Sequence, residues 1–281
     1  MMKKGFNSIV KICVLALFAT SLCFVHSCKE SSQEPASPNS PGQQPTKETK
    51  SDANDTAKAP PDISTSKPPE VSKEPPTASA GDPNLVAIDI KLPRAMFVGT
   101  PQDTTVANLE KPLGKARPPF LAPVGTKNVA FEKPVSSTDD LPIIGELEMI
   151  TDGDKEAADG SYVELGPLKQ SVTIDLEAEY NIYAILFWHY HKQSCVFFDV
   201  VVQVADDPDF ITNVTTLFNN DTDNSAGLGI GKDMHYTETN EGKLIDARGV
   251  RARYVRLYSD GSTANGLNRY IEVEVFAKPA K

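Results

Sequence analysis

The sequence predicts an all-β fold, a β-sandwich of jelly-roll type preceded by a disordered Pro-rich tether, and three observations lead there. Short runs of alternating or continuous apolar residues recur from Asn128 to the C-terminus. Clusters of Gly, Asp, Asn and Pro separate them. No segment sustains helical apolar spacing over three turns, and many short strands with frequent turn signals mean a sandwich or a barrel.

Each strand has its own signal. Val172, Ile174 and Leu176 alternate with polar neighbours, as a half-buried strand does. Ile182 to Trp188 is nearly continuous apolar and reads as a central strand. Phe198 to Val204 is rich in β-branched residues and is closed by Ala205-Asp206-Asp207-Pro208 as a turn. Arg253–Tyr258 and Tyr270–Phe276 alternate cleanly. Upstream, Leu85 to Leu92 alternates enough for a strand, after which Pro93, Pro101, Pro112, Pro118, Pro119 and Pro123 prevent any long regular element. Residues 85–127 are therefore expected to be a strand and an extended arm lying on the main domain, 128–281.

The N-terminus reads as targeting. Lys3, Lys4 and Lys11 precede the apolar run Ile12–Phe24, shorter than the roughly 20 residues that span a bilayer, so residues 1–27 form a secretory signal. Val25-His26-Ser27-Cys28 resembles a bacterial lipoprotein signal, which implies an acylated Cys28. Each acyl chain contributes about 0.8 kcal/mol per buried CH₂, so more than one chain anchors stably. Residues 28–84 are rich in Pro, Ser, Lys and Glu, and cannot bury enough apolar surface to offset their ordering entropy. As polyproline II such a tether reaches on the order of 150 Å. The expected location is the cell envelope, as a membrane-anchored lipoprotein at the periplasmic face or cell surface.

Charge and cysteine content narrow the chemistry. The net charge is −10; residues 1–84 balance, and residues 85–281 hold 19 basic and 29 acidic residues. So acidic a domain is a poor partner for nucleic acid and suits cations better. Cys13 and Cys23 leave with the signal and Cys28 is the acylation site, so only Cys195 remains and no disulfide framework exists. Its apolar context, Cys195-Val196-Phe197-Phe198, is that of a buried, inert thiol.

Several stretches occur in an order that resembles the coagulation factor 5/8 type C, or discoidin-type, domain, nearest to family-32 carbohydrate-binding modules and the galactose-binding-like fold. They are Asn128–Val135, the turn Thr151-Asp152-Gly153-Asp154, the strand Val172–Leu176, Val202–Pro208, Ala252–Leu257 and Ile271–Phe276. The resemblance covers Asn128–Ala277. It departs from the family at Ala157, where a Thr is usual, in lacking the animal domains' disulfide, and in a long polar insertion at 219–249.

The resemblance implies a structural Ca²⁺ held by side chains of Asp152, Asp154 and Glu272 and by the carbonyls of Met149 and Ile271. Calcium takes six to eight hard oxygens, and a tight Asp-Gly-Asp turn presents two carboxylates. The same turn occurs without a metal as a solvated loop. In Trp188-His189-Tyr190-His191 the two imidazoles, two residues apart, share a face of a strand, a spacing compatible with zinc or copper with Cys195 as the nearest third ligand. Surface packing, or a sugar platform of aromatic faces and hydrogen-bond donors, are the other readings of these four residues. Asn219–Ser225 carries ligand-like Asp and Asn residues but lacks the Gly and closing Glu of an EF-hand loop, and reads as a polar loop.

No G-x-S-x-G or H-E-x-x-H pattern is present, and the carboxylates have no placement that marks a glycosidase pair. The expectation is a non-catalytic, surface-anchored binding module that recognises a glycan or envelope component through its sandwich loops. The alternatives are an assembly lipoprotein that binds a partner protein without sugar recognition, and a small jelly-roll hydrolase.

Overall fold

A computed structural model describes residues 83–97 and 105–281, all within the second of two compact units, Val71–Lys281. The signal segment, Cys28 and the tether up to residue 82 lie outside the described residues.

Two strands serve both layers of the sandwich. β1 (Leu85–Ala87) and β2 (Leu121–Pro123) form a separate antiparallel ribbon. The main sheet is built from β3 (Lys127–Asn128), β4 (Val135–Ser137), β5 (Val163–Pro167), β6 (Gln170–His189), β7 (Val201–Ala205), β8 (Thr215–Asn219), β9 (Lys243–Ser259) and β10 (Leu267–Pro279). In its first half, Gln170 to Asp175, β6 pairs with β4 on one side and with Tyr254–Ser259 of β9 on the other; β9 then leads to β7 and β8. In its second half, Tyr180 to His189, β6 pairs with β10 and with the first half of β9. β10 leads on to β3 and β5. All of these pairings are antiparallel.

The change of neighbours needs a bend, and the backbone supplies it. The register between β6 and β9 shifts between Asp175 and Tyr180, where Glu177 has φ 63°, and again after Ile182, opposite Arg248 (φ 54°) and Gly249 (φ 76°). Extra residues in left-handed conformation re-aim a strand without ending it. The sequence suggests two separate strands here; the structure keeps one, because the Glu177 bulge absorbs the turn.

The core lies where apolar side chains of β6, β7, β9 and β10 meet. Phe187, Trp188, Ile174, Leu176, Leu257, Val273 and Val275 are fully buried. Each such side chain contributes about 1.5–3 kcal/mol of burial free energy. The arm touches the core through Ile88, Ile90 and Phe120, Pro93 is buried, and the Arg117 guanidinium donates to the carbonyls of Glu241 and Gly242.

Candidate functional site

A short 3-10 helix, Leu147–Thr151, delivers the chain into the Asp152-Gly153-Asp154 turn. Thr151 is buried and its hydroxyl donates to the Lys133 carbonyl at 2.9 Å, which fixes the start of the turn. Gly153 takes φ 89°, a conformation that favours glycine. The exposed carboxylates of Asp152 and Asp154 each accept a bond from a backbone N–H two residues on, Asp154 N at 2.8 Å and Glu156 N at 3.0 Å.

Glu272 of β10 reaches this turn from 119 residues away. Its Oε2 accepts from the Gly153 N–H at 3.1 Å, while Oε1 is buried with no partner. Register places Tyr270 opposite His189 and Glu272 opposite Trp188, so Ile271 is the extra residue of a bulge and stands outside the ladder. Burial pushes the Glu272 carboxyl up to about 9; Glu274 and Asp152 push the same way, against the Gly153 bond and Lys155. Glu274 is held by Lys155 Nζ at 2.7 Å.

The structure joins Glu272 to the turn through the Gly153 N–H alone, and the ligand atoms of Asp152, Asp154 and Glu272 do not all lie within 4.8 Å of one another. Side chains of Asp152, Asp154 and Glu272 and the carbonyls of Met149 and Ile271 are the groups that would hold Ca²⁺, and Glu272 Oε1 is a buried oxygen without a hydrogen-bond partner. A bound ion would supply positive charge that neutralises Glu272. Ala157, where the family has a hydroxyl, is buried in the core.

The four residues expected as a sugar platform or metal pair are placed differently, and the exposed-platform reading is corrected. Trp188, His189 and His191 are fully buried and Tyr190 nearly so. Trp188 Nε1 donates to the Asn240 carbonyl at 3.0 Å. His189 stacks on Phe197, with centroids 4.3 Å apart, and its Nδ1 donates to the buried Glu238 Oε1 at 2.9 Å. His191 Nε2 donates to the Lys155 carbonyl at 3.0 Å. Tyr190 packs on Tyr162 under the Arg269 guanidinium. The turn at Thr239–Gly242, itself pinned by the arm, packs against Trp188. Cys195 is also buried; its thiol donates to the Tyr190 carbonyl and burial pushes it up to about 12.

Among the described residues, the one group of three acidic, His or Cys ligand atoms within 4.8 Å of one another is Asp199, Asp221 and Asp223. Two of these lie in the polar 219–225 loop; Asp199 precedes β7 and was not legible as their neighbour. Asp221 is fully buried, and its oxygens accept from the N–H groups of Ser225 (3.1 Å) and Ala226 (2.9 Å). Ser225 Oγ donates to Asp199 at 2.7 Å, and Ser225 N to Asp223 at 3.0 Å. The loop's own donors engage all three carboxylates.

No protein-family model matches the chain, and no curated protein does. Solved structures do resemble it. A family 89 glycoside hydrolase from Clostridium perfringens is similar over 54% of this chain at 17% identity and TM-score 0.40, and this chain spans 15% of that enzyme. A family-32 carbohydrate-binding module of AlyQ, in complex with 4,5-unsaturated mannuronic acid, is similar over 52% of this chain and 96% of its own length, at 17% identity and TM-score 0.37. A Streptococcus pneumoniae fucose-binding module is similar over 55% of this chain and 98% of its own, at 16% identity and TM-score 0.40. The two binding modules are matched over nearly their whole length and the hydrolase over a small part of its own.

Proposed function

We propose that the chain is a non-catalytic glycan-binding module, held at the cell envelope by an acylated Cys28 and stiffened by one structural Ca²⁺. The observation that carries the reading is the Glu272–Gly153 hydrogen bond, which joins the first loop to the last strand. The discoidin-type resemblance implies that junction, so the order of sequence landmarks and the three-dimensional placement support one plan. Asp152, Asp154 and Glu272, with the carbonyls of Met149 and Ile271, would hold the ion and tie together the two ends of the domain.

A glycan array probed with the mature chain tests the binding role; specific retention on a group of related saccharides is the expected result. An array without signal, beside specific capture of one envelope protein, would favour the assembly reading. That second reading has an observation of its own: Leu141, Ile143 and Leu168 are 84%, 57% and 74% exposed on segments tied by the Ile143 N to Glu164 O and Gly166 N to Asp139 bonds. Exposed apolar side chains grouped in this way mark protein contacts. For anchoring, Cys28→Ala is expected to move the protein from the membrane fraction to the soluble one. Equal detergent partitioning of variant and parent would end the lipid-anchor reading.

A further inference from the structure

A cleft of about 690 Å³ opens between the arm and the segment Tyr236–Leu244. Ligand clefts typically hold about 300–1,000 Å³. We propose that this cleft is where the saccharide binds and that it selects acidic sugars, an inference that rests on the glycan-binding reading above.

The cleft is preorganised. Its far wall is the turn Thr239–Gly242, held on three sides: Trp188 Nε1 donates to the Asn240 carbonyl, Asn240 Nδ2 donates to the Pro93 carbonyl at 3.2 Å, and Arg117 donates to the Gly242 carbonyl at 3.1 Å. Gly242, at φ 63°, allows this seat, since a Cβ there would lie 2.7 Å from Trp188 and from the Phe187 carbonyl. A wall fixed beforehand loses little entropy when a ligand arrives.

Its charge runs against that of the domain. Among the described residues the lining includes Lys111, Lys115, Arg117 and Lys243, with Glu110 and Glu241 as acids. Both acids are engaged: Lys243 Nζ pairs with Glu110 at 2.9 Å, and the Arg117 N–H donates to Glu241 at 3.3 Å. Lys111 and Lys115 are exposed, and among the described residues neither has an ion-pair partner. A surplus of cations at a concave site, on a domain with ten more acids than bases, focuses attraction on an anionic ligand. Phe97 and Leu113 supply apolar lining for the C–H face of a pyranose, and the carboxylate of a uronic acid would pair with Lys111 and Lys115.

Calorimetric titration at low salt, with hexagalacturonate and with a neutral galactose hexasaccharide as probes, decides the matter. Expected are at least tenfold tighter binding of the acidic probe, loss of that preference in high salt, and about tenfold weakening of the acidic probe alone in K111A/K115A. Both lysines are exposed, so the variant's melting temperature should match that of the parent. K127A/K232A, which removes two exposed lysines outside the cleft, controls for net charge. Equal loss in that control, or equal affinity for the two probes with K111A/K115A silent, overturns the cleft while the glycan reading stands. Binding of neither probe, together with a blank glycan array, overturns both.

Discussion

Two acidic corners of the domain look alike in composition and differ in what their oxygens lack. Around Asp199, Asp221 and Asp223 three carboxylates crowd within 4.8 Å, yet Ser225 and Ala226 donate to them. Around the Asp152–Asp154 turn the carboxylates are more spread, yet Glu272 is fully buried with Oε1 lacking any donor. The denser cluster is the one a search for acidic residues would choose. A buried anion is costly in proportion to what fails to compensate it, not to how many neighbours share its sign. The sparser corner is the cation site under the proposed function, and each experiment below sets one corner against the other.

The largest effect is expected at Glu272. An ion that binds only the folded state at a hundredfold excess over Kd stabilises it by about 2.7 kcal/mol, which is roughly 5–10 °C in melting temperature for a domain of this size. EDTA should remove that increment from the parent and leave Glu272→Gln unchanged, while Asp221→Asn should keep the full calcium response. The metal-free chain offers a second readout. Glu272 lies near 9, above its ordinary value of 4.5, so its contribution to stability is complete below about pH 4.5 and is lost as pH rises toward 9. Glu272→Gln should flatten that stretch of the stability–pH curve. A curve equally steep in the variant would show that this carboxylate is not the group responsible.

Next in size is Asp221→Ala. Losing this side chain leaves the Ala226 N–H without its acceptor, whereas Ser225 N keeps Asp223. An unsatisfied buried donor costs about 1–3 kcal/mol, so urea denaturation should show about 2 kcal/mol of lost stability, the same with or without calcium. A loss seen only when calcium is present would make the crowded corner the metal site and reverse the comparison.

Legibility in the sequence followed the range of the interactions. Strands whose signal is local, Val172–Leu176, Arg253–Tyr258 and Tyr270–Phe276, lie inside β6, β9 and β10. β5 and β8 escaped notice because Val163–Pro167 and Thr215–Asn219 are short and carry weak alternation. Glu272 could be linked to the Asp-Gly-Asp turn only through the family resemblance, since nothing local in either segment points to the other. The burial of Trp188 involves a turn some fifty residues downstream, while His189 meets Phe197 and Glu238 and His191 the Lys155 carbonyl, all partners distant in sequence or unmarked by any local signal. For the same reason the cationic cleft was invisible: Lys111 and Lys243 are unremarkable until Arg117 and Asn240 bring their segments together.

The smallest expected effect is the one whose sign matters most. Asp199 is half-buried; burial raises its carboxyl first, and Asp221, Asp223 and Asp260 raise it further, against the Ser225 hydroxyl. A carboxyl raised in the folded state costs stability once it ionises, and that cost is present at neutral pH and absent below the ordinary carboxylate range. Asp199→Asn removes the charge, keeps an oxygen for Ser225 Oγ, and suits the φ of 50° at this position, since Asn tolerates left-handed backbone as Asp does. The half-exposed site is screened by water, so the gain should be only about 0.5 kcal/mol, a degree or two in melting temperature at pH 7. It should vanish below about pH 4, where ionisation no longer separates the two forms. If the crowded corner held a cation, the same substitution would delete a ligand and lower the melting temperature in calcium. A small rise, unaltered by calcium, is what the loop's self-satisfied carboxylates require.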